Sequence, residues 1–130
     1  MGACYSISLK VNLIDEEAAI KALNDYIDKD TSSNYSLEKH YQQGVTTETF
    51  DDLMRIFFAG WKGQEVDIHK EADITRYENC FCASYGWEYV MTEMFKVLTP
   101  FVQDGTELYI SIDNDYDKLV VRDGKCIWLH

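Results

Sequence analysis

Cys82 and His69 are the residues of this chain whose types suit covalent chemistry. Cys82 stands just ahead of the apolar-striped segment Ser84 to Val102. A thiol at the start of a helix meets the positive end of the helix dipole, which lowers its pKa and favours the nucleophilic thiolate. His69 is the imidazole that would serve as its base. Cys80 and Cys82 with His69 also supply zinc-ligand types, but the C-x-C pair lacks a second Cys or His pair at ligand spacing. Asp67, His69, Glu71 and Asp73 alternate, and on a strand they would share one face for metal or acid/base work. Lys70 and the loss of apolar alternation after Ile68 favour an exposed loop instead. Asp113, Asp115 and Asp117 have the spacing that opens an EF-hand loop, but Lys118 stands where that loop needs Gly and Gly124 where it needs Glu. They read as a solvated hairpin tip.

A cysteine opening a helix that packs on a sheet resembles the papain-like hydrolases at one position, Cys82. That resemblance implies a histidine on the sheet after the helix, and the later histidine here is His130, the last residue. No phosphate-cradling glycine loop, G-x-S-x-G elbow or H-E-x-x-H helix is present. With 3 histidines in the chain, acid/base work would rest on carboxylates or tyrosines. The favoured reading is therefore non-enzymatic, with no cofactor and no metal; a small hydrolase using Cys82 and His69 is the alternative.

The chain is 130 residues, enough for a single domain, with 46% apolar residues for its core. Its 23 acidic against 12 basic residues leave a net charge of −11, which disfavours binding to nucleic-acid phosphates or an anionic membrane. No apolar run approaches the roughly 20 residues that cross a bilayer, and the N-terminus carries no secretion-signal pattern. Gly2 and Ser6 match the myristoylation pattern, although Ser6 lies inside a strand alternation. A cytoplasmic location is expected, where the cysteines stay reduced and Cys4 and Cys126 act as small apolar strand residues.

The elements that would position these residues follow from periodicity. Tyr5, Ile7, Leu9, Val11 and Leu13 alternate with polar residues, specifying a strand with one buried face. Asp15 caps a helix with Glu16 and Glu17 in its first turn and a stripe of Ala19, Ile20, Leu23, Tyr26 and Ile27. Residues 35–43 could add a helical turn through Leu37 and Tyr41. Thr46 or Thr47 caps the next helix, striped by Phe50, Leu53, Met54, Phe57 and Trp61, with Ile56 and Phe58 widening the stripe; Gly60 and Gly63 mark its stop. From Gln64 to Cys82 the pattern is weak. In Ser84 to Val102 the apolar residues recur every three and four positions, and Pro100 should kink the helix or begin a new turn. Leu108 to Ile112, Lys118 to Arg122 and Lys125 to Leu129 form a meander with a type I′ turn at Asp123-Gly124. The expected architecture is α+β: an antiparallel sheet of about four strands, the N-terminal strand joining the meander, with about three helices on one face.

The remaining unusual property is aromatic richness in an acidic chain, with 9 Tyr, 6 Phe and 3 Trp. Tyrosine suits protein interfaces because its ring packs while its hydroxyl hydrogen-bonds. Asp113, Asp115, Tyr116, Asp117 and Tyr109 at the hairpin, with Glu88 and Tyr89 on the outer face of the long helix, are the expected contacts to a basic protein surface. An inhibitor or adaptor, by class analogy with toxin-immunity and phage anti-defence proteins that occupy nucleases, is the expected role.

Overall fold

The alternating segment that opens the chain forms the middle of the sheet. In the computed structural model, which describes residues 2–29, 47–59, 66–84, 86–113 and 115–129, β1 (Gly2–Val11) pairs antiparallel with β3 (Ile74–Ser84) on one side and β4 (Glu107–Ile112) on the other. β2 (Asp67–Glu71) forms a hairpin outside β3, while β5 (Asp115–Arg122) and β6 (Lys125–Leu129) continue as a meander outside β4. This makes one antiparallel 6-stranded sheet in the order β2-β3-β1-β4-β5-β6. β3 and β4 run parallel to each other with β1 between them, so α3 (Trp87–Leu98) joins them by a crossover.

One face of this sheet is apolar because the registers align the buried residues of neighbouring strands. Leu9 lies opposite Tyr77 and Leu108, and Tyr5 opposite Phe81 and Ile112. Tyr5, Ile7, Leu9, Tyr77, Phe81, Leu108 and Ile110 are all buried there. Burial of side chains of this size contributes about 1.5–3 kcal/mol each.

The helices that cover this face are α1 (Glu16–Lys29), α2 (Phe50–Ala59) and α3. Asp15 caps α1 as expected, its Oδ1 accepting from the Ala18 N–H at 3.1 Å. The cap of α2 is Thr49, whose Oγ1 accepts from the Asp52 N–H at 3.1 Å, and not Thr47, which stands two residues further from the helix than a cap that reaches its second or third amide. Thr46 lies outside the described residues. Ile56 and Phe58 are fully buried with Leu53, Met54 and Phe57, because α2 is enclosed on two sides. It meets the sheet through Phe50 and Phe58, whose rings lie 5.8 and 6.2 Å from that of Tyr77, and α1 through the Phe57–Tyr26 stack at 6.3 Å. α3 begins at Trp87 and not at Ser84, since β3 runs on to Ser84 and Gly86 turns the chain with φ of 107°. Pro100 sits in a 3-10 turn, Thr99–Phe101, that ends the helix.

The α+β class and the one-sided helical layer match expectation; the strand count does not. The hairpin β2–β3 fills the stretch where periodicity fails. Asp67, His69 and Glu71 are exposed on edge strand β2, not in a loop, and charge on an edge strand hides the alternation while blocking pairing with another sheet. β5 starts at Asp115, so Asp115 to Asp117 are strand residues and the turn lies around Asp113, φ 54°. Asp123 and Gly124, at φ of 53° and 72°, form the positive-φ turn expected of an Asp-Gly pair. The helical turn expected over residues 35–43 and the stop at Gly60 and Gly63 around Trp61 lie outside the described residues. Among the described residues no helix is long and apolar enough to cross a membrane.

Candidate functional site

Every residue directly paired across the sheet shares a face with its partner, so the registers define what stands on the side away from the helices. One row across the strands is Asp67, Glu78, Ser8, Tyr109, Lys118 and Leu129; the next is His69, Arg76, Lys10, Glu107, Val120 and Ile127. Cys80, Ser6, Ser111 and Tyr116 form a third, and Cys82 with Cys4 a fourth. No described helix covers this face.

Tyr109 and Tyr116 are diagonal neighbours on β4 and β5, and their rings stack at 5.4 Å with 27° between planes. They are 38% and 57% exposed. Beside them Lys118 reaches Glu107 at 3.2 Å. Each ring packs one face against the other and leaves part of its surface to solvent. The stacking depends on diagonal register, which no single strand pattern reveals.

The other expected contacts separate. Asp113 is exposed at the turn beyond β4, its N–H donating to the Cys4 carbonyl at 3.1 Å. Asp115 and Asp117 pair with Ile112 and Ile110 and so stand on the opposite face from the tyrosine stack; Asp115 is exposed and Asp117 half-buried. Tyr89, on α3, is 62% exposed. Glu88 faces inward: its Oε2 accepts from the Tyr5 hydroxyl at 2.7 Å and from the Gly86 N–H at 3.1 Å.

Cys82 and His69 share the open face but not a site. His69 pairs with Arg76, which at about 3.3 Å per residue lies roughly 20 Å along β3 from Cys82. Cys82 also points away from α3, so it does not meet the helix N-terminus. Arg76 Nε binds Glu78 at 2.9 Å, and His69 Nε2 lies 3.9 Å from the same carboxylate. A shallow depression of about 350 Å³ is lined by Lys10, His69, Glu71, Ala72, Ile74 and Arg76. Among the described residues no three His, Cys, Asp or Glu side chains converge in a way that could hold a metal.

Cys4 is exposed, not packed as an apolar strand residue. Its Sγ lies 3.2 Å from Cys82 Sγ. The hydrogen bond and negative charge of Cys82 raise the Cys4 pKa above its usual value. Cys80 Sγ approaches Ser6 Oγ at 3.5 Å. Cys126 is half-buried on the helix-facing side of β6, and burial raises its pKa although Lys96 opposes this.

A second polar cluster belongs to the architecture. Asp51, in the first turn of α2, accepts from the Tyr77 hydroxyl at 2.6 Å and from Lys70 Nζ at 2.7 Å. Burial alone would raise the Asp51 pKa, but the bonds from Lys70 and Tyr77 and the charges of Lys70 and Arg55 hold it below the usual carboxylate value. Burial, and then the bond to Asp51, push the Tyr77 hydroxyl well above its usual value. The cluster fastens α2 to the β2–β3 hairpin.

No protein-family model, curated protein or solved structure matches this chain.

Proposed function

We propose that the chain is a non-enzymatic binding protein, an inhibitor or adaptor that docks on a basic protein surface such as the phosphate-binding face of a nuclease. The stacked, exposed Tyr109–Tyr116 pair is the observation that carries the reading. It provides a rigid aromatic anchor of low entropic cost, the kind of group that dominates interface energetics. Asp113, exposed at the turn beyond β4, supplies charge at the end of that strand, and the net charge of −11 steers a basic partner toward it. Asp115 and Asp117, on the opposite face, are not assigned to the interface. Tyr89 is not assigned to this interface, because α3 lies on the other side of the sheet. Glu88 is not assigned to the interface, because its carboxylate is held within the fold.

The test is capture from a lysate at low and high salt with the native chain, Tyr109→Ala/Tyr116→Ala and Asp113→Lys, each verified as folded by circular dichroism. The reading requires a basic partner that is lost at high salt and lost by both variants. Capture that survives both variants, or no partner at low salt, overturns it.

A further inference from the structure

Cys4 and Cys82 are separated by most of the chain, yet β1 and β3 set them directly opposite each other. The backbone determines what kind of pair they form. The Cys4 carbonyl accepts from the Asp113 N–H on the β4 side, and the N–H and C=O of a strand residue point the same way. Toward β3, Cys4 therefore makes no ladder bond, and Cys4–Cys82 is a non-hydrogen-bonded pair. Such pairs bring the Cα atoms to about 4.5 Å and the side chains closest together, within the range of about 4.4–6.8 Å that a disulfide spans. The sulfurs already stand 3.2 Å apart, and both residues are exposed to solvent.

The other cysteines do not share this geometry. Cys80 lies on the same face but opposite Ser6. It precedes Cys82 on an extended strand, where same-face residues stand about 6.6 Å apart with parallel Cα–Cβ bonds, too wide for the Cβ separation of about 3.5–4.5 Å in a disulfide. Cys126 is on the other face.

We propose that Cys4 and Cys82 are a redox-modifiable thiol pair that a hydroperoxide converts to a cross-strand disulfide joining β1 to β3. One thiolate attacks the peroxide, breaking its O–O bond; the sulfur takes one oxygen as sulfenic acid and the other leaves as water or alcohol. The second thiol displaces that hydroxyl as water, forming the S–S bond. The two sulfurs together give up two electrons, which reduce the peroxide. Thiol reductants reverse the step, as expected of a redox-responsive pair in a reducing compartment.

The experiment is hydrogen peroxide titration of the full chain, read by intact mass, thiol count and peptide mapping. The expected product has lost two thiols and about 2 Da, carries a Cys4–Cys82 linkage, and returns to the starting mass with dithiothreitol. Cys80→Ser and Cys126→Ser should form the same linkage, whereas Cys4→Ser and Cys82→Ser should instead gain oxygen. An intramolecular disulfide in Cys4→Ser, a linkage through Cys80, or oxygen addition in the native chain without a disulfide overturns the proposal. Because Ser is close in size to Cys and both positions are exposed, these variants leave the core untouched.

Discussion

Tyr5 donates its hydroxyl to Glu88 across 2.7 Å, and the same oxygen accepts from the Trp87 N–H at 3.2 Å. One phenol at the centre of the sheet thus satisfies polar groups at the start of α3, where amides have no intrahelical partner. The ring stacks on Phe81 at 5.6 Å, and Phe81 meets Trp87 edge-on at 6.4 Å, so the hydrogen bonds and the aromatic packing set the same helix position. Tyr5→Phe keeps the packing and deprives the Trp87 amide of this acceptor, with an expected loss of about 1–3 kcal/mol in urea unfolding. A variant as stable as the native chain would show that the phenol does not hold the helix start.

The Asp51–Tyr77–Lys70 cluster makes stability depend on pH at both extremes. Asp51 has a lowered pKa in the fold, so its contribution is complete above the unfolded value of about 4 and is lost as pH falls through the lower folded value. Tyr77 has a raised pKa, so its contribution is complete below about pH 10 and is lost as pH rises from there toward the folded value. Urea midpoints followed across pH should fall on both sides. Asp51→Asn should flatten the acid limb and Tyr77→Phe the alkaline limb; unchanged limbs would assign the slopes to other groups.

The cap of α2 gives a sharper discrimination, because neighbouring threonines compete for the role. Thr49→Ala removes the hydroxyl that accepts from the Asp52 N–H and should cost about 1 kcal/mol. Thr47→Ala should cost under about 0.5 kcal/mol, the usual range for a surface substitution outside such features. Equal losses in the two variants would place the helix start earlier than Thr49.

Where one segment carries its own instruction, the sequence was readable. β1 alternates without interruption, Asp15 stands one residue ahead of an acidic first turn, and Asp123-Gly124 supplies the two positive-φ residues a type I′ turn needs. The hairpin β2–β3 was not readable because its edge strand buries no complete face: Ile68 is only half-buried among Asp67, His69, Lys70 and Glu71. Relations between strands remote in sequence were out of reach for a different reason. The Cys4–Cys82 contact and the Tyr109–Tyr116 stack each depend on register, and register belongs to two strands together. Glu88 misled because it is polar at a helix start next to exposed Tyr89. Its buried partner, Tyr5, lies at the other end of the chain.

The turn between β5 and β6 separates backbone strain from packing. Gly124 has φ of +72°, and a Cβ built on it would meet nothing within 4 Å, so Gly124→Ala carries a conformational cost without a clash. About 1 kcal/mol is expected, and Gly124→Asn should cost less because asparagine tolerates this region. The turn is also held from outside: the Asp104 carboxylate accepts from the Asp123 N–H at 2.9 Å and the Gly124 N–H at 3.2 Å. Asp104→Ala leaves the turn's φ values permitted but unanchored, and an additional loss of about 1 kcal/mol is expected. Since Asp104 acts on the same amides whose conformation Gly124 makes accessible, the two losses should not add in the double variant. Additive losses in urea unfolding would show that the carboxylate and the glycine stabilise the meander independently.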